Sequence, residues 1–218
     1  MLQSLPQRLY LLTYTVDEGK FKLGDLQGRG QLLRAGALAE MVLGGLLGVE
    51  GRKVVRLTDE PPSDSFLAGV WGDLPGEKPK GWLQFVHNKA HTAEAPVQEQ
   101  LSAAGTITVT RKKLLGLVAG SHVTVNDPQQ VLDLRARVRD VVMSGSDPAT
   151  VPMDELTMAV FAKELELTSV FHRKEVSEHK RTLKALADRF DKAVPKLRSS
   201  LRDSYLSSRA VGGGWSNS

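Results

Sequence analysis

Cysteine is absent from all 218 residues, which excludes disulfide staples, thiolate zinc sites, iron–sulfur clusters and cysteine nucleophiles. The absence agrees with a cytoplasmic location. Long hydrophobic runs are missing as well. The most apolar stretch, Leu32 to Val49, is broken by Arg34, Glu40 and glycines, and it falls short of the roughly 20 apolar residues that a membrane span requires. The opening residues, Met1 to Arg8, place a proline before the first cation and only a short apolar run after it, which is not the pattern of a signal peptide. Any contact with a membrane is therefore expected from the water side. Aromatic residues are few, with three Trp and three Tyr, and no nucleic-acid-binding motif is recognisable, so nucleic acid is the partner least supported.

What is present suffices for a core. Hydrophobic residues make up 41% and charged residues 25% of the chain, close to the averages of soluble domains. A chain of this length is expected to bury roughly 70% of its unfolded surface. One domain over residues 1–210 is expected, followed by a flexible tail at 211–218. The formal net charge of +4 is unevenly placed: from His172 onward there are 11 basic and 5 acidic side chains. This basic C-terminal face is either a surface for an anionic partner or an ordinary solvated helix face.

The apolar run Leu9 to Val16 reads as a helix or a strand, with helix preferred, and Asp17 to Lys20 as a turn. Lys22 to Gly30 reads as a glycine-bearing loop. Leu32 to Leu43 has the pattern of a largely buried helix stopped by Gly44 and Gly45. A hairpin is expected over Leu46 to Leu57, a short helix over Phe66 to Trp71, and two helical pieces between Gly81 and Leu101, with Pro96 in a first turn. A second hairpin region follows: Ile107 to Thr110, a basic turn at Arg111, Lys112 and Lys113, then the apolar run from Leu114. Asp127 and Pro128 open a helix to Met143, Pro152 another to about Phe171, and a last helix starts near Lys174 and bends near Pro195. This element list predicts a mainly α-helical domain with two or more β-hairpins, and no β-α-β alternation supports a Rossmann or barrel fold.

Tests for common chemistry come out negative. Gly28-Arg29-Gly30 precedes a helix, but Leu33 stands where a dinucleotide fingerprint needs its third glycine. His87 and His91 are spaced to share one helix face, yet no third ligand accompanies them, so no metal and no cofactor are expected. No nucleophile elbow or catalytic triad spacing occurs, and a binding module rather than an enzyme is expected. The suggestive feature is Arg34, one turn inside a helix that follows a glycine loop. A helix N-terminus with an arginine fork suits phosphate oxygens. The same arginine is equally readable as a carboxylate partner or a snorkelling side chain.

The segment LLRAGALAEMVLGGLLGVEGRKVVRL, Leu32 to Leu57, resembles the signature of the Golgi phosphoprotein 3 family. LYLLTYTVDEGKF, LSAAGTITVTRKKLLGLVAGSHVTVNDP and MDELTMAVFAKELELTSVF resemble further family segments in the same order, roughly from Leu9 to Phe190. The resemblance implies a compact, mainly helical fold and a cytosolic protein that docks peripherally on membranes by binding phosphatidylinositol 4-phosphate. Its beginning almost at the core resembles a bacterial-type relative. In the family the headgroup site combines a loop tryptophan, the arginine of the Leu-Arg helix, and two arginines three apart. Here Arg34 matches the helix arginine, Gly24 or Asp25 stands at the tryptophan, and His91 and Glu94 stand at the other two arginines.

The expected headgroup residues are thus Arg34, Arg29 and His91. Arg111, Lys112, Lys113, Leu114 and Leu115 form the expected membrane-contacting hairpin, with leucines entering the interface and cations among anionic headgroups; the alternative is that these leucines pack inward. The expected partners are anionic phospholipid headgroups and the membrane surface, with protein partners as a further possibility. A soluble protein adaptor that has lost lipid specificity is the alternative function.

Overall fold

Residues 3–21, 28–51, 53–74, 80–114 and 117–212 are described in the computed structural model, with 111–114, 117–121 and 210–212 as backbone alone. Ser4 and Pro6 start the first helix, α1 (Leu5–Leu12), where the Gln7 side chain accepts the Ser4 N–H at 3.1 Å. The helix thus begins earlier than the run from Leu9 suggests, because Pro6 supplies a pre-set first turn. It is followed by β1 (Tyr14–Thr15), a 3₁₀ turn and β2 (Lys20–Phe21).

Helix α2 (Arg29–Leu43) is buried on nearly every side from Arg29 to Ala39. It packs against α1, the short helices α3 (Ser65–Gly72) and α4 (Trp82–His87), α5 (Glu94–Ala103), α7 (Met153–Glu164) and α10 (Leu197–Gly212). A helix that is apolar all round needs such enclosure, and this places it at the centre of the core. The first hairpin, β3 (Leu47–Glu50) with β4 (Lys53–Arg56), follows α2 as expected. Asp127 caps α6 (Pro128–Met143) by accepting the Gln129 N–H. The architecture among the described residues is mainly α, with two-stranded antiparallel sheets.

Three expectations are corrected. The second hairpin is one long ladder, β5 (Ile107–Leu114) with β6 (Leu117–Val125). Arg111, Lys112 and Lys113 are strand residues paired with Ser121, Gly120 and Val118, and a register irregularity falls between Lys112 and Lys113. Charge does not turn a chain: this tripeptide lacks the Gly, Pro, Asn or Asp that turn conformations favour, so the pairing runs on to Leu114↔Leu117. Leu115 lies outside the described residues.

Helix α7 stops at Glu164 rather than near Phe171. Glu166 adopts a left-handed φ of 53°, and Leu167 N–H and Glu166 N–H donate back to the carbonyls of Ala162 and Lys163 at 2.9 and 3.2 Å. That is a Schellman ending, which satisfies the orphan carbonyls without a glycine.

The last helix is three: α8 (Arg173–Glu178), α9 (Lys180–Ala193) and α10. The bend expected at Pro195 is a full break, with Lys196 at φ 70°. The Pro195 carbonyl, freed from the helix, accepts the indole N–H of buried Trp82 at 2.7 Å. Val211 and Gly212, expected in the tail, belong to α10, and residues 213–218 lie outside the description.

Candidate functional site

Two glycines allow other elements to close on the start of α2. Gly28 holds φ 86°, and a Cβ there would stand 2.6 Å from the Tyr205 ring on α10. Gly30 lies against the backbone of the 3₁₀ turn Ala90–Thr92, where a Cβ would come within 1.9 Å of the Ala90 carbonyl oxygen. No side chain caps the helix at Gly28.

Arg34, one turn further in, is 4% exposed. Its Nε–H donates to the Phe85 carbonyl, and its Nη1 lies 3.0 Å from Asp73 Oδ2. Lys89 Nζ reaches the other oxygen of Asp73 at 2.6 Å. Burial pulls the Arg34 pKa down against the pull of Asp73. Burial would raise Asp73, but hydrogen bonds from Lys89 and Arg34 outweigh it and hold that carboxyl below its ordinary value. Of the two readings of Arg34, the carboxylate-paired one describes this geometry.

Arg29 is also buried, 6% exposed, with the rings of Tyr10 and Phe21 at 5.1 and 4.5 Å from its guanidinium carbon. Its Nη2 is ion-paired to Glu94 at the start of α5. Its Nε and Nη1 have no hydrogen-bond partner among the described residues. Burial pushes the neighbouring Tyr10 hydroxyl up to about 12 in spite of the Arg29 cation.

The structure therefore brings Arg29 and Arg34 to one end of α2 and gives each a carboxylate, Glu94 for Arg29 and Asp73 for Arg34, with Lys89 on the far side of Asp73. No local signal links Arg34 to Asp73, which follows α3 as its C-cap. His91 sits in the 3₁₀ turn beside Ala90 and is exposed. The one-face spacing of His87 and His91 fails, because Lys89 between them takes φ 58° and ends the helix. His87 instead shares a hydrogen bond with Ser204 on α10 at 3.0 Å. The basic hairpin residues are elsewhere, since β5 packs against α5 rather than α2.

A family model described as Golgi phosphoprotein 3 (GPP34) matches residues 5–203. No curated protein matches the chain.

Proposed function

The chain belongs to the Golgi phosphoprotein 3 family, and we propose that it is a peripheral membrane module, not an enzyme, that binds anionic phospholipid headgroups from the cytoplasmic side. Phosphatidylinositol 4-phosphate is the headgroup that the family resemblance brings. The observation that carries the reading is Arg29: a buried guanidinium at the first turn of α2 whose Nε–H and Nη1–H find no partner among the described residues. A buried donor without an acceptor costs about 1–3 kcal/mol, and a phosphate oxygen arriving at the helix start would remove that cost. Arg34 then acts behind it, holding α3 and α4 in place through Asp73 and the Phe85 carbonyl. Arg111, Lys112, Lys113, Leu114 and Leu115 add a contribution to adhesion on any anionic surface. Among the described residues no helix is long and apolar enough to cross a membrane.

Co-sedimentation with neutral, generally anionic and phosphatidylinositol 4-phosphate vesicles tests this. The wild-type chain is expected to pellet with anionic vesicles, with a preference that Arg29→Gln flattens. Failure to pellet with any of them at low salt would favour the second reading, a soluble protein adaptor. That reading draws on the carboxylates Glu94 and Asp73, which already occupy both arginines.

A further inference from the structure

Helix α9 buries Leu183, Leu186 and Phe190 and turns its other side to solvent. On that side Lys180, Lys184, Asp188 and Lys192 recur every four residues, with Arg181 beside them, and all five are exposed. Spacing of this kind puts them on one stripe.

The acids of α8 and α9 are each already engaged: Glu175 with Arg139, Glu178 with Lys174, Asp188 with Lys184, and Asp191 with Arg198. Lys180, Arg181 and Lys192 are left without an ion pair among the described residues. Asp188 is the one acid of the stripe, paired to Lys184 and within the field of Lys192, so cations remain in excess on this face, a cost to the isolated fold and an attraction for an anionic surface.

Beside the stripe a cleft of about 310 Å³ opens, with Val160, Leu183 and Ala187 in its floor and Lys163, Lys180 and Lys184 along its edge. Two carboxylates line it, and both are paired: Glu164 with Lys163 at 3.1 Å and Arg198 at 2.8 Å, and Asp188 with Lys184 at 2.6 Å. Cations around an apolar floor suit an amphiphile that offers an anionic head and an apolar body. Single-stranded nucleic acid would use exposed rings for stacking, and the rings described on α8 to α10, Phe190 and Tyr205, are buried.

We infer that the outer face of α9, with the cleft beside it, is a docking surface for an anionic phospholipid bilayer. This rests on the membrane reading above but assigns adhesion to a face that neither Arg29 nor the hairpin supplies.

The test uses the full chain and phosphatidylcholine vesicles with and without phosphatidylglycerol, at low and at physiological salt, comparing wild type with the triple variant Lys180→Gln/Arg181→Gln/Lys192→Gln. The three substituted residues are exposed and unpaired, so the variant should keep the wild-type melting temperature. At about fivefold per basic residue near an anionic surface, the triple variant is expected to bind phosphatidylglycerol vesicles about a hundredfold more weakly, with a shallower salt dependence. If wild type and triple variant pellet equally, the inference is overturned while the membrane reading stands. If wild type ignores every anionic vesicle, both fail. Duplex DNA binding that is tighter than vesicle binding and is lost in the triple variant would make the face a nucleic-acid surface and overturn the inference.

Discussion

Arg34 and Asp73 meet at 3.0 Å, the arginine 5% and the aspartate 18% exposed at the side chain, and Lys89 closes the far side of the same carboxylate. The pair joins the central helix to the end of α3, and the Phe85 carbonyl ties α4 to the same guanidinium. One arginine thus holds three elements around the start of α2.

Arg34→Ala is therefore expected to destabilise the fold rather than merely alter lipid preference. Removing one partner of a buried ion pair costs about 3–5 kcal/mol, which at this chain length lowers the melting temperature on the order of 10 °C. Thermal melts followed by circular dichroism measure it. The double variant Arg34→Ala/Asp73→Ala should lose less than the sum of the two single variants. An Arg34→Ala protein with wild-type stability and flattened headgroup preference would instead return Arg34 to the ligand.

Acid should loosen the junction between α6 and α8. The hydrogen bonds from Arg139 hold the Glu175 carboxyl at about 2, below its ordinary 4.5, and the His172 N–H adds to them. Because the folded value is depressed, the stabilisation is fully present above pH 4.5 and is lost as pH falls toward 2. Melting temperatures measured between pH 6 and 3 should fall less steeply in Glu175→Gln than in wild type. Equal slopes would mean that this ion pair contributes no pH dependence.

Gly30→Ala should be among the most damaging small substitutions in the chain. The new methyl would lie 1.9 Å from the Ala90 carbonyl oxygen, and that atom is backbone, so relief requires moving the whole 3₁₀ turn. Overpacking of this kind costs typically about 1–3 kcal/mol. A urea midpoint unchanged from wild type would show that the turn yields freely.

Trp82→Phe removes the indole N–H that the Pro195 carbonyl accepts. Loss of a partner for a buried acceptor costs about 1–3 kcal/mol, and the break between α9 and α10 should become more open. Hydrogen exchange at Leu197 to Ser200 is expected to speed up more than exchange in α1. Uniform change across the chain would point to global destabilisation alone.

Much of the element order was legible in the sequence because its signals are local. Asp127-Pro128 starts α6, Gly44 ends α2, and the apolar pattern of Leu32 to Leu43 announces a buried helix. The errors have local causes too. Arg111 to Lys113 carry charge but no turn residue, so they stay in the ladder. The helical pattern through Phe171 continues past a Glu166 that adopts a left-handed conformation with no glycine to announce it.

The site divides differently. Sequence alone determined that a buried helix follows a glycine loop, that Arg34 lies near its start, and that cations accumulate after His172, because helix periodicity and composition are properties of neighbours along the chain; that the helix already begins at Arg29, inside the expected loop, came from the fold. Which arginine is engaged was decided only in three dimensions. Asp73 is 39 positions from Arg34 and Glu94 is 65 from Arg29, and no local propensity encodes such a meeting. Burial there pairs Arg34 with Asp73 while leaving two N–H groups of Arg29 without a partner among the described residues. The free cations of α9 were decided in the same way: the sequence supplies the charges, but only the folded chain determines which of them find an acid.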